Sequence, residues 1–145
     1  MIRSSIKEDL PFMAEIEKEC IPDPWSLRSF ESEFGRDGAI FLTAEENGEV
    51  CGFITASRVL DEVSIFNVAV TEKYRRRRIA QALMEKLAEI SADSAFITLE
   101  VRESNNAARR LYEKLGYKEV GMRKNFYNAP TENAILMTLF FNGGM

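Results

Sequence analysis

"IFNVAVTEKYRRRRIAQALMEKL", residues 65–87, runs from an apolar strand through four consecutive arginines, Arg75 to Arg78, into a helical pattern. Ile79, Leu83, Leu87 and Ile90 recur at intervals of four, four and three, so one face of that helix is expected to be buried. A strand feeding a helix start is a ready anion site, because the first backbone N–H groups lack partners and the macrodipole is positive there. Arginines at the head of such a helix fit a small phosphorylated ligand. The same run also fits a solvated stretch paired with the chain's many acids, and spacing alone leaves both readings open. A nucleic-acid arm fits poorly, since the net charge is −4 and no wider basic face is evident.

Outward from this stretch, the pattern alternates strands and helices. Residues 2–6 read as a short strand. Residues 8–20 read as a helix, with Leu10, Met13 or Ala14, and Ile16 on one side. "PDPW" breaks the chain, and Ser26 is placed to cap a second helix that ends at Gly35. Residues 39–45 and 49–60 are strand-like and meet at Asn47-Gly48, a strong hairpin signal. A third strand covers 63–70. "AFITLEV", 95–101, puts Ile97, Leu99 and Val101 on one face and Phe96, Thr98 and Glu100 on the other. Ser104 or Asn105 caps a helix through Leu115, stopped by Gly116. Strands at 117–122 and 133–141, with a polar and aromatic loop between them, complete the pattern. The order predicts a mixed α/β (α+β) protein whose middle is a parallel strand–helix–strand crossover.

The chain has 145 residues, 46% hydrophobic and 29% charged, as expected of one globular domain spanning 1–145. No signal-peptide pattern or membrane-length apolar run is seen, and Cys20 and Cys51 are expected as buried, unpaired thiols in a cytoplasmic protein. There is no histidine, which excludes Ser-His and Cys-His chemistry and leaves a carboxylate, lysine, tyrosine or relayed water as general base.

The opening stretch, together with "ITLEVRESNNAARRLYEKLGYKEVGMRKNFY" (97–127), resembles the GNAT superfamily of acyl-CoA-dependent N-acetyltransferases. Within it, the chain more specifically resembles bacterial enzymes that acetylate the N-terminal amine of a small-subunit ribosomal protein. "DPWS" (23–26), "LDEVSIFNVAV" (60–70) and "NAILM" (133–137) extend the resemblance over nearly the whole chain. It implies a mixed, mostly antiparallel sheet with a central parallel pair, flanked by helices. It also implies acetyl-CoA as acetyl donor and a protein N-terminus as acceptor, with no metal, no direct nucleic-acid partner and no membrane.

The resemblance assigns the backbone of Val68, Ala69 and Val70 to the pantetheine arm and thioester. It assigns Arg75, Arg76, Arg77, Arg78, Ile79, Ala80 and Gln81 to the pyrophosphate, and Asn105 to the cofactor arm. Glu100 takes the position of a general base and Tyr112 that of a general acid. The chain departs from the family pattern at Arg78, where a glycine is usual. An arginine accepts helical φ without strain, so the fold is expected to tolerate it, and the donors to phosphate are backbone groups that any non-proline residue supplies.

Read from the residues alone, Glu100 fits a solvated strand face and Tyr112 a packing aromatic at the core margin. The resemblance turns both toward chemistry, and an apolar strand around Glu100 would tune its carboxylate toward neutral pH. Acetyl transfer needs a neutral amine: an α-amine with pKa ~8 is about 10% neutral at pH 7, against well under ~0.1% for a lysine. On the acceptor side, Trp25 and Tyr127 are candidates to flank the peptide, while Trp25 also fits a purely packing role. Glu103 reads as a surface acid. Acetylation of a lysine or a small-molecule amine, or a degenerate non-catalytic domain of this fold, are the alternatives.

Overall fold

The computed structural model describes residues 1–141. The last four residues of the expected domain, 142–145, lie outside the described part. In chain order the elements are β1 (Ile2–Ser4), α1 (Leu10–Cys20, after a 3-10 turn at Lys7–Asp9) and α2 (Leu27–Phe34), then β2 (Ala39–Glu46), β3 (Glu49–Val59) and β4 (Glu62–Val70). A second 3-10 turn, Glu72–Tyr74, leads to α3 (Ile79–Ile90), followed by β5 (Phe96–Arg102), α4 (Asn106–Lys114), β6 (Lys118–Tyr127) and β7 (Glu132–Phe140). The strands form one sheet in the order β1-β2-β3-β4-β5-β7-β6.

Local signals set most boundaries. Ser26 accepts a hydrogen bond from the Ser29 N–H at 3.2 Å and so caps α2. Asn47 and Gly48 both have positive φ, 52° and 76°, as a tight β2–β3 hairpin requires. The Asn105 side chain accepts from the Ala108 N–H at 3.2 Å and caps α4. Beneath the sheet, Leu10, Met13, Phe30, Phe41 and Phe53 form a core with α1 and α2. Ile79, Leu83, Met84, Leu87, Ile97, Leu99 and Val101 form a larger one with α3 and α4 on the opposite face.

Four expectations need correction. The arginines 75–78 are not helical but form the loop before α3, which begins at Ile79. Ile90, the last residue of the expected apolar stripe, is exposed because the helix ends there. The loop expected after residue 122 is strand: β6 continues to Tyr127, and only 128–131 turn. Its polar sequence misleads because β6 is a sheet edge, exposed along most of its length. Cys51 is buried and unpaired as expected, but Cys20, at the end of α1, is only half-buried.

One buried charge, unforeseen in the sequence, ties β1, β2 and α1 together. Asp9 is 3% exposed. Its two carboxylate oxygens accept from the Arg3 guanidinium at 2.8 and 3.0 Å, and it also accepts from the Ile6 N–H and the Thr43 hydroxyl. Burial alone would raise its pKa, but Arg3 and the two further donors together hold it below the usual carboxylate range. A carboxylate with a depressed pKa contributes stability above its unfolded value and loses it as pH falls through the folded one. Arg3→Ala is therefore expected to cost about 3 kcal/mol at pH 7, because it strands a buried charge. Denaturant melts of the two proteins should converge as the pH drops below about 4, where the carboxyl of the variant is already protonated.

Candidate active site

The parallel pairing of β4 and β5 is short. Only Glu62–Ser64 and Phe96–Thr98 share a ladder. Beyond Ser64 the two strands diverge, and β4 keeps its pairing only with β3 on its far side. A bulge at Phe66 in β4, set opposite the Thr55/Ala56 step of β3, reinforces this re-aiming of the strand. The divergence leaves the inner backbone edge of residues 65–70 without a strand partner in the middle of the sheet.

A cavity of about 430 Å³ opens in this cleft. Six predicted site residues meet in its lining: Trp25, Val68, Glu100, Asn105, Tyr112 and Tyr127. Glu100 projects from the exposed face of β5, as the alternation predicts, and Ile97, Leu99 and Val101 are buried on the other. The apolar surroundings expected for its carboxylate are not found: the side chain is 33% exposed and pairs with the Arg123 guanidinium of β6 at 2.8 Å. Asn105 and Tyr112 lie two turns apart on α4 and both reach the cavity. Asn105 Oδ1 serves as the helix cap, and its Nδ2 group, a donor with no partner among the described residues, belongs to a side chain of the cavity lining. Burial pushes the Tyr112 phenol up to about 12, with a smaller contribution from Tyr127, so it stays protonated at neutral pH.

Of the two residues expected to flank the acceptor, the Trp25 ring packs edge-on against Phe30 at 5.3 Å and against the bulge residue Phe66 at 5.8 Å. It therefore anchors the approach to α2 and lines the cavity at once. The Tyr127 phenol is also raised to about 12, by burial and by the nearby charge of Glu100, with Arg102 opposing.

A second cavity, about 290 Å³, lies at the start of α3 and takes in Val70, Arg75, Arg76, Arg78, Ile79, Ala80 and Gln81. No side chain caps this helix, so its first amides face the cavity as an unused cluster of donors. Arg75 is committed to protein contacts, donating to the Val70 carbonyl at 3.1 Å and to Cys20 Sγ at 3.0 Å. Two predicted residues are not brought to either cavity. Arg77 turns back over the Tyr74 ring at 5.2 Å, and Ala69 is buried against the core of α1 and α2.

Arg78 does not adopt the helical φ expected of it. Its φ and ψ are 59° and 27°, in the left-handed region, and Arg76 also has a positive φ of 66°. This backbone explains why glycine is usual at the Arg78 position: the turn into α3 is left-handed, and a Cβ there costs about 1–2 kcal/mol. Arg78→Gly is expected to relieve that strain, partly offset by about 0.4–1 kcal/mol of added unfolded-chain entropy. The net effect is a rise in Tm of up to about 5 °C. Arg78→Val, β-branched at the same φ, should lower Tm instead.

Several lining residues escaped the sequence reading. Glu17 of α1 is 1% exposed. Its Oε2 accepts from Asn67 Nδ2 at 2.6 Å and from the Trp25 N–H at 3.1 Å, while Oε1 is buried with no partner among the described residues. Burial raises its pKa against those two donors. The signal was present, since Glu17 continues the Leu10–Met13 core spacing of α1 and an acid at a core position calls for a partner. Arg102, Asn67 and Phe66 gave no such cue, because a bulge and a strand-end arginine follow from pairing geometry and not from periodicity.

The model of the acetyltransferase (GNAT) family matches residues 10–117. The chain belongs to the GNAT family. Along 137 residues it is 39% identical to the [ribosomal protein bS18]-alanine N-acetyltransferase of Escherichia coli (strain K12), with 90% of each chain covered. The crystal structure of the ribosomal-protein-S18-alanine N-acetyltransferase from Escherichia coli superposes with a TM-score of 0.92 at 36% identity, covering 98% of this chain and 94% of that one. Arabidopsis thaliana NAA60 in complex with acetyl-CoA shares the fold at a TM-score of 0.87 and 24% identity, over 97% and 99% of the two chains. The expected GNAT fold is thus present, with its parallel pair at β4–β5 and antiparallel pairing elsewhere. No helix among the described residues is long and apolar enough to cross a membrane.

Proposed function

We propose that this GNAT chain, working as one domain, transfers the acetyl group of acetyl-CoA to the N-terminal α-amine of a protein. An alanine of a ribosomal protein is the acceptor that the names of its relatives favour. The observation that carries the reading is the cleft between β4 and β5. It gathers Glu100, Asn105 and Tyr112 beside an unpaired strand edge, one cavity away from an uncapped, arginine-rich helix start.

These residues fit acetyl-CoA. The open strand edge at Val68–Val70 can pair with the amides of the pantetheine arm, as a strand would, although the Val70 carbonyl already accepts from Arg75. The amides of Ile79, Ala80 and Gln81 and the positive loop before them suit the phosphates. When bound, acetyl-CoA supplies an acetyl group activated as a thioester. Asn105 Nδ2 steadies the arm while Oδ1 holds the helix.

The α-amine arrives mostly as an ammonium. Glu100 accepts its proton, and Arg123, which pairs with Glu100, is the cation the ammonium displaces. The neutral amine then forms the N–C bond directly. Tyr112, held protonated by burial, gives its proton to the sulfur as the C–S bond breaks. The second proton that the nitrogen must lose as the amide forms passes to the Tyr112 oxygen, which restores the phenol, and Glu100 releases its own proton to water. Neither cysteine is needed, because attack within a ternary complex avoids an acyl-enzyme.

The test is acetyl transfer, followed by mass spectrometry, to an alanine-initiated peptide and to the same peptide with a blocked N-terminus and an internal lysine. Transfer to the first alone supports the reading. Transfer to the lysine alone would assign a different acceptor, and calorimetric binding of acetyl-CoA with no transfer to any amine would make the chain a non-catalytic binder.

A further inference from the structure

The hairpin joining β6 and β7 forms the acceptor-side wall of the larger cavity through Phe126, Tyr127 and Asn128. Strand pairing alone holds this tip weakly. The β6–β7 register breaks after Arg123 and resumes only at Tyr127↔Glu132, and Asn125 sits at a positive φ of 51° within the break.

Within the break the Asn125 N–H donates to Asn133 Oδ1 at 2.9 Å, and Arg102, the last residue of β5, holds the turn beyond it. Its Nη1 donates to the Pro130 carbonyl at 2.9 Å and to Glu132 Oε1 at 3.2 Å, and its Nη2 donates to the Asn128 carbonyl at 2.9 Å. The guanidinium also lies over the Tyr127 ring, 4.5 Å from its centroid. The other oxygen of Glu132 accepts from the Ser104 N–H, which ties the tip to the segment leading into α4. The Arg102 and Glu132 side chains are 18% and 17% exposed, so this pair is largely shielded from solvent.

We propose that Arg102 is a positioning residue for the acceptor: its planar fork fixes the hairpin tip against the end of β5 and thereby sets Tyr127 and Asn128 as the wall against which the acceptor peptide lies. Two of its three partners are backbone carbonyls, so what it reads is the path of the turn. A lysine keeps the charge but cannot reach three acceptors in one plane while stacking on a ring. The arrangement is remote from the donor cavity at α3, and its one link toward the donor arm, the Ser104 N–H beside Asn105, stays bonded to Glu132 in Arg102→Lys, so the effect is expected on the acceptor. The proposal rests on the N-terminal acetyltransferase reading for its kinetic arm.

The experiment compares the parent with Arg102→Lys, and with Glu132→Gln as a milder variant that keeps the two carbonyl bonds. Arg102→Lys is expected to raise the KM for an alanine-initiated peptide roughly tenfold, as a wall misplaced by about an ångström would. The acetyl-CoA Kd from calorimetry should stay within about twofold, since its donors are untouched. Glu132→Gln should give a smaller rise. A lowered Tm with the peptide KM unchanged, or a parallel rise in peptide KM and acetyl-CoA Kd, would overturn the proposal. Amide hydrogen exchange across 126–132 supplies a readout independent of turnover. Faster exchange in Arg102→Lys supports the staple even if the parent acetylates no N-terminal peptide, in which case only the functional reading fails. Unchanged exchange overturns the staple itself.

Discussion

Glu100→Gln is expected to lower kcat/KM for an alanine-initiated peptide by ~10²- to 10⁴-fold at pH 7, the usual contribution of a positioned general base. That corresponds to about 3–5 kcal/mol of transition-state stabilisation. The variant should fold normally. Glu100 is a partly exposed strand residue whose ion pair with Arg123 is itself 58% exposed on the arginine side, and pairs of that kind contribute about 0–1 kcal/mol. A Tm within about 3 °C of the parent, with an unchanged acetyl-CoA Kd, would separate lost chemistry from lost structure. The pH dependence supplies the sign. With no base, the variant uses only amine that is already neutral, so its rate should climb up to about tenfold from pH 7 to pH 9, as an α-amine of pKa ~8 loses its proton. A variant within threefold of the parent at pH 7 would remove Glu100 from the base role.

Tyr112→Phe is expected to reduce kcat by about 10²-fold, at the low end for a general acid. The reason is the leaving group: a thiol of pKa ~8.5 departs as a tolerable anion, so a proton donor matters less than it would for an alkoxide. The loss should shrink further with an acetyl thioester of a more acidic thiol, and that substrate dependence marks a donor of protons where a packing role would show none. Stability should hardly change, because the variant keeps the ring contact with Tyr117 at 6.0 Å and the hydroxyl makes no hydrogen bond among the described residues. Equal loss with both thioesters would leave Tyr112 as a wall of the cavity only.

The fold was largely legible in the chain because its cues are local. The Ser26 cap, the Asn47-Gly48 turn, the alternation of Ile97, Leu99 and Val101 and the stop at Gly116 each act over a few residues, and each is found where the pattern put it. Cues that depend on neighbours in space failed. The length of β6 was hidden by polar residues that belong to a sheet edge, and the burial of Asp9 and Glu17 is set by Arg3, Thr43, Asn67 and Trp25, between 6 and 50 positions away in the chain. For the site, the resemblance named the residues, but periodicity could not show that Trp25, Val68, Glu100, Asn105, Tyr112 and Tyr127 share one cavity. Arg78 is the sharpest case. A deviation from glycine is visible in the sequence, while the left-handed turn that gives it meaning is visible only in the backbone.

The three-residue ladder between β4 and β5 has a consequence for how such a protein can change over generations. A ligand docked against an open strand edge is read by peptide groups, and peptide groups are the one part of a protein that substitution cannot alter. In the proposed function, the β4 side chains that neither the core nor Asn67's bond to Glu17 holds in place are therefore free to drift without loss of the donor, provided the strand stays extended and proline stays out of 65–70. In that same proposed function, discrimination among acceptors is left to segments with no part in that ladder: the approach to α2 around Trp25 and the hairpin tip around Tyr127. One half of the cleft is conservative by its covalent nature, and the other is open to selection.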